Sequence, residues 1–268
     1  MSSSAEFTIV AVQLAVLIFG TMLLWRLGLS ARARRIAPAL GAWDVSVADF
    51  FFFIWFVVAG GCIGPALMGL WFKRHPFDTD VRVILSTAVF QLGMFGGVLA
   101  YHLGFRRRPE SPAEHGGRPV LAGVATYLIS LPVVLVVSLV WIGLLKLCQV
   151  ATPQQEAIDI LRNTGNTLPL TVLLACALVI APVTEELIFR AGIFRYARTR
   201  LPRWAALLLP ASLFGAMHAN LASFAPLVAL GVVYSLAYER TGRITTTIVA
   251  HSLFNATTTV LVLAGLDV

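Results

Sequence analysis

Glu185 and Glu186 stand side by side, and Arg190 follows four residues after Glu186. Further along come Phe214 with His218 and His251 with Asn255, each pair four residues apart. These residue types can hydrolyse an amide bond without a nucleophilic side chain. A carboxylate takes a proton from water as general base, and an imidazole can orient that water or share its proton. An imidazole beside an amide offers the donors of an oxyanion hole, provided both point to where charge develops. The i, i+4 spacing puts His251 and Asn255 on one helix face. The same spacing lets Glu186 pair with Arg190, while Glu185 points about 100° away round the helix and is free to face a cavity.

Each motif alone has a plainer explanation. The glutamates could sit at a helix end neutralised by arginines, although residues 187–194 run on largely apolar past them. A lone His218 reads as a satisfied structural histidine, beside Gly215, Ala216 and Ala219, whose small size suits close helix approach. His251 and Asn255 could simply bond one helix to another. Taken together, two carboxylates, two imidazoles and an amide in separate apolar segments are hard to attribute to packing. Ionisable groups in a bilayer are costly and rare, and by default functional.

The elements that must position them are membrane helices. The 268 residues are 58% hydrophobic and 12% charged, where soluble domains carry about 25% charged residues. A span needs about 20 mostly apolar residues. Eight candidates are found, roughly 7–25, 49–72, 83–105, 119–147, 168–198, 204–219, 223–239 and 244–266. The sixth and seventh are short and joined only by residues 220–222, so they form a tight hairpin that need not cross the membrane fully. The expected fold class is therefore all-α, a polytopic integral membrane protein of about eight helices. The first segment reads as a membrane helix rather than a cleavable signal, with Glu6 and no Lys or Arg before it. Pro182 is expected to kink or restart the fifth helix, and residues 154–162 to form a short amphipathic turn. Chemistry divides the chain at residue 118: three helices without a motif in 1–118, five helices and all three motifs in 119–268. Cys62, Cys148 and Cys176 lack metal-ligand spacing and imply no disulfide framework; buried small hydrophobes are the expectation.

The formal net charge of +7 does not point to nucleic acid. Most arginines sit in alternate connections: Arg26, Arg32, Arg34 and Arg35; Arg106, Arg107, Arg108 and Arg118; Arg195, Arg198, Arg200 and Arg203; Arg240 and Arg243; the others hold fewer basic residues, Lys73, Arg74 and Arg82, then Lys146 and Arg162. Cytoplasmic loops are enriched in Lys and Arg, so eight spans with both termini outside satisfy the bias at every loop. Counted from those arginines, Glu185 and His218 each lie about 22 Å along their helices, His251 about 12 Å and Asn255 about 18 Å. All can meet within the membrane, toward its cytoplasmic half.

Glu185-Glu186-x-x-x-Arg190, Phe214-x-x-x-His218 and His251-x-x-x-Asn255 resemble the CAAX-protease and bacteriocin-processing family of intramembrane endopeptidases, also called the Abi family. Every motif position matches, over roughly 168–262, and residues 1–118 carry no part of it. The resemblance implies that Glu185 and His218 activate a water, that His251 and Asn255 stabilise the oxyanion, and that Glu186, Arg190 and Phe214 support them. It implies a membrane-bound substrate, lipidated at a CAAX-type end or bacteriocin-like, and the plasma membrane of a prokaryote. Membrane lipids are the other expected partners; the oligomeric state is open. The family has been described both as metallo- and as glutamate-dependent. Zinc could be held by Glu185, His218 and His251, but there is no His-Glu-x-x-His motif, and metal-free chemistry is the preferred reading. The rival is a scaffold, or a transporter using buried carboxylates as proton relays; transporters often show internal repeats, and none is seen here.

Overall fold

The computed structural model describes residues 3–75, 77–105, 118–151, 156–163 and 167–266. Arg106, Arg107 and Arg108, counted above toward the charge bias, and Gln154, expected in the amphipathic turn, lie outside them. The main helices are α1 (Ser3–Leu24), which runs on into a π turn at Trp25–Leu29 and a short helix at Ala31–Arg34, α2 (Val47–Phe72), α3 (Thr79–Phe105), α4 (Pro119–Leu147), α5 (Glu156–Asn163), α6 (residues 167–198), α7 (Arg203–Met217), α8 (Leu221–Thr241) and α9 (Ile244–Leu263). The chain is an all-α polytopic membrane protein. Among the described residues, seven helices are long and apolar enough to cross a bilayer. Their outer faces leave side chains such as Ile18, Met22, Trp55, Leu67, Val140 and Val260 more than half exposed, which water would not tolerate but lipid does.

The sixth candidate is short, as expected: α7 has 15 residues, about 22 Å against a hydrocarbon core of about 30 Å. The seventh candidate is longer than expected, at 21 residues. Asn220 caps its start, the side chain accepting from Ser223 N–H at 3.0 Å. Gly242 stops it with φ 66°, a left-handed position that favours glycine. A Cβ there would also come within 3.0 Å of the Ala39 carbonyl.

The cysteine expectation also needs correcting. Cys176 is buried, but Cys62 and Cys148 are exposed. Cys62 lies on the outer face of α2, where bilayer rather than protein would cover it.

The chain divides into two compact units, neither contiguous in sequence. The first comprises Met1–Gly41, His115–Pro153 and Leu207–Ala250. Within it α1 lies close on α4, where a Cβ on Gly20 would fall 2.2 Å from the Leu128 carbonyl oxygen. Trp141 Nε1 donates to the Leu221 carbonyl at 2.8 Å, tying α4 to the start of α8.

The second unit comprises Ala42–Glu114, Gln154–Ala206 and His251–Val268. A capping box opens α2: Ser46 Oγ accepts from Asp49 N–H at 3.1 Å while Asp49 Oδ2 accepts from Ser46 N–H at 3.3 Å. Small residues then bring α2 and α3 together, as expected in membranes. A Cβ on Gly60 would lie 2.1 Å from the Gly93 carbonyl oxygen, and one on Gly93 the same distance from that of Gly60. This contact sets the register in which α3 turns Ile84, Ala88, Gln91, Met94, Val98 and Tyr101 inward. The expected amphipathic segment forms as α5; its Ile160 and Leu161 pack with Ile84, Leu173 and Val262.

Helix α6 is not uniform. It passes into π register at Cys176–Ile180, returns to α at Ala181–Glu186, and is π again over Leu187–Phe194. Pro182 sits in the first turn of the α segment, so the expected restart is present. The two glutamates thus occupy one α turn between two π segments, a feature frequent at functional sites. In the second of these, Gly192 leaves room for Phe53, whose ring would lie 2.4 Å from a Cβ there.

Candidate active site

Five of the residues singled out by sequence fall in the second unit: Glu185, Glu186 and Arg190 on α6, His251 and Asn255 on α9. Glu186 is fully buried and Arg190 is 1% exposed. Arg190 Nη1 donates to Glu186 Oε1 at 2.9 Å, so the i, i+4 pair expected from spacing is present. The same oxygen lies 2.9 Å from His251 Nδ1. An ionised carboxylate can only accept, so Nδ1 carries the hydrogen in this contact. That bond fixes the ring of His251, itself 3% exposed. It also aims Nε2 toward Glu185, whose Oε2 is 3.8 Å away, beyond hydrogen-bond reach. With one ring proton, on Nδ1, Nε2 presents a lone pair; to donate toward an oxyanion it must carry a second.

Glu185, 5% exposed, is not free in the sense its helix position suggested. Gln91 Nε2, from α3, donates to its Oε1 at 2.8 Å. Gln91 lies in residues 1–118, which contain no motif. A signal was present: Gln91 interrupts the otherwise apolar stretch 88–100 of a membrane helix, and hydrogen-bonding side chains there commonly mark helix contacts.

Asn255 Nδ2 donates to the Ala177 carbonyl at 2.8 Å. In the first π segment, Ala181 N–H reaches back five residues to the Cys176 carbonyl. The next rung would run from residue 182 to Ala177, but residue 182 is proline and has no N–H. Asn255 therefore supplies the donor that Pro182 lacks, joining α9 to the break in α6 just before Glu185.

Phe214 and His218 fall in the first unit. His218 follows the last residue of α7 and is half-buried. Its Nδ1 lies 2.8 Å from the Phe214 carbonyl, and the two rings meet edge-on with centroids 5.0 Å apart. Phe214 is fully buried. The next residue, Ala219, has φ 49°, a left-handed conformation rare for a residue with a Cβ; it turns the chain sharply toward Asn220.

Zinc sites of the catalytic kind take three protein ligands. Among the described residues, no three His, Cys, Asp or Glu side chains are arranged to hold a metal ion. In the second unit, Glu186 Oε1 is already shared by Arg190 and His251, leaving Glu185 and His251 Nε2 as the facing donors.

Residues 167–257 match the family model described as type II CAAX prenyl endopeptidase, Rce1-like. The region carrying the three motifs is thus similar to the type II CAAX prenyl endopeptidases. It is also similar to YdiL, a candidate membrane peptidase of Bacillus subtilis (strain 168), with 28% identity over 102 residues. That alignment covers 38% of this chain, and the chain spans 41% of the relative's length. No solved structure matches the chain. Within the matched region lie Glu185, Glu186, Arg190, Phe214, His218, His251 and Asn255; Gln91 lies outside it.

Proposed function

We propose that the chain is an intramembrane endopeptidase that hydrolyses a peptide bond of a membrane-associated substrate, with Glu185 as the base. The observation that carries this is the buried carboxylate of Glu185 facing His251 Nε2, whose ring is fixed by Glu186 and Arg190. Glu185 takes a proton from water as that water attacks the substrate carbonyl. The oxyanion so formed needs donors. Asn255 has one amide hydrogen left after its bond to Ala177, and His251 has Nε2–H when doubly protonated. Collapse of the intermediate breaks the C–N bond, and the proton returns to the leaving amine. In this reading His218 shares with Glu185 in activating the water.

The reading includes a substrate with a lipidated, CAAX-type end or a bacteriocin-like peptide, membrane lipids as surroundings, and no nucleic acid. It needs no metal. It places the site toward the cytoplasmic half of a prokaryotic plasma membrane with both termini outside, α7 and α8 forming a hairpin that returns to the cytoplasmic side. An exposed Cys148 at the end of α4 should then react with a membrane-impermeant maleimide on intact cells; protection until lysis would reverse the orientation.

The function is tested with purified full-length protein in liposomes and a panel of quenched, lipid-anchored reporter peptides, with products identified by mass spectrometry. Cleavage should persist after treatment with a strong chelator. A protein that cleaves none of the panel but carries a solute or proton flux would be a transporter. Loss on chelation with recovery on adding zinc would overturn the metal-free chemistry.

A further inference from the structure

We infer that Gln91 is a positioning residue for the base, holding one oxygen of Glu185 so that the other is presented to the reaction. The inference rests on the proposed role of Glu185. Gln91 lies on α3, outside the region that matches the family. It is 7% exposed and shares the inward stripe of α3 with Ile84, Ala88, Met94 and Val98. Its Nε2 donates to Glu185 Oε1 at 2.8 Å, while its own Oε1 is buried without a hydrogen-bond partner.

That last feature is informative. A buried acceptor left unpaired is costly, and an apolar side chain of similar size would avoid the cost. The amide orientation is also forced. Turned over, its carbonyl would face a carboxylate oxygen, acceptor against acceptor. The donor contact with Glu185 is therefore what the carboxamide contributes here.

Geometry gives that contact a purpose. A carboxylate whose two oxygens are equally free can rotate about its last bond and offer either to water. With Oε1 held from α3, Oε2 is the oxygen that faces His251 Nε2. An amide can also serve both states of the base. Its NH2 donates to the carboxylate, and after Oε2 has taken the proton of water, Oε1 is the carbonyl oxygen of the acid and still accepts from the same NH2. No bond is made or broken at Gln91 itself. The α2–α3 contact at Gly60 and Gly93 fixes the height of Gln91 on α3, so a stretch without any motif would set the geometry of the catalytic carboxylate.

The experiment uses full-length protein in liposomes and the same lipid-anchored reporter peptides. Gln91→Leu removes both amide functions at nearly constant volume. It should lower kcat by roughly 10–100-fold, as expected for a lost hydrogen bond to a charged group. KM should stay within about twofold and the melting temperature should not fall, since the unpaired acceptor is also gone. Gln91→Met is a second apolar variant with a more adaptable shape, in case leucine packs badly. Gln91→Glu keeps the shape but offers an acceptor when ionised, so it should also lose kcat. A merely structural Gln91 would instead show losses that track melting temperature, with Glu tolerated better than Leu.

Full kcat in folded Gln91→Leu and Gln91→Met, with Glu185→Gln inactive, would overturn this inference and leave the function standing. An active Glu185→Gln, or a wild-type protein that cleaves no reporter, would overturn the base assignment and this inference with it.

Discussion

The two histidine motifs look alike in sequence and are held in different ways. His251 is fixed from another helix: its Nδ1 meets Glu186 on α6, 65 residues away in the chain, at 2.9 Å. His218 meets its own segment, with Nδ1 2.8 Å from the carbonyl of Phe214, four residues back. The first arrangement joins a fully buried carboxylate, a buried guanidinium and a buried imidazole in a low-dielectric setting, where an unmatched charge is costly. The second is a half-buried ring at a helix end, beside a strained Ala219. Burial with charge pairing makes a residue part of the fold as well as of the site. A local contact leaves the side chain able to matter for chemistry while mattering little for stability.

Breaking the buried pair should have the largest effect on folding. Glu186→Ala or Arg190→Ala leaves an uncompensated buried charge and should cost about 3–5 kcal/mol, read as lower yield and melting temperature in detergent. The double substitution should lose less than the two singles added together, because they share one interaction. Strict additivity would remove the pair from the account.

Asn255 tests the joint between α9 and the break in α6. Asn255→Ala should cost about 0.6–1.7 kcal/mol, the range for interhelical hydrogen bonds in membranes. Adding Pro182→Ala supplies an N–H able to reach the Ala177 carbonyl and should recover most of that stability. Activity separates the roles. If Asn255 is also an oxyanion donor, the rate falls roughly 10²–10³-fold and Pro182→Ala does not restore it. Recovery of both stability and rate would make Asn255 a tether alone.

His218 should give the smallest change in stability. His218→Ala should move it by no more than about 0.5 kcal/mol while abolishing cleavage, whereas His251→Ala should lose both. Equal destabilisation by the two substitutions would erase the contrast between the motifs.

The helices and the charged pair were legible because they rest on local rules. Long apolar runs gave the spans, and i, i+4 spacing gave Glu186 with Arg190. The apolar run understates α8 because the helix limits depend on the Asn220 cap and the left-handed Gly242, each lying just outside that run. The partners of Glu185, His251 and Asn255 were not legible. Gln91 lies 94 positions from Glu185 in sequence, and no motif reaches that far. The Asn255–Ala177 bond depends on a π register that Pro182 leaves one donor short, which spacing alone does not reveal.

The central claim is that Glu185 is the base, and the most direct measurement is the turnover of Glu185→Gln beside wild type, in liposomes, on a lipid-anchored reporter peptide that wild type cleaves. The substitution keeps the shape and removes the basic oxygen. The account predicts a loss of at least about 10²–10⁴-fold, the usual contribution of general-base catalysis, in protein that inserts and melts as wild type does. Turnover within a few-fold of wild type would contradict it.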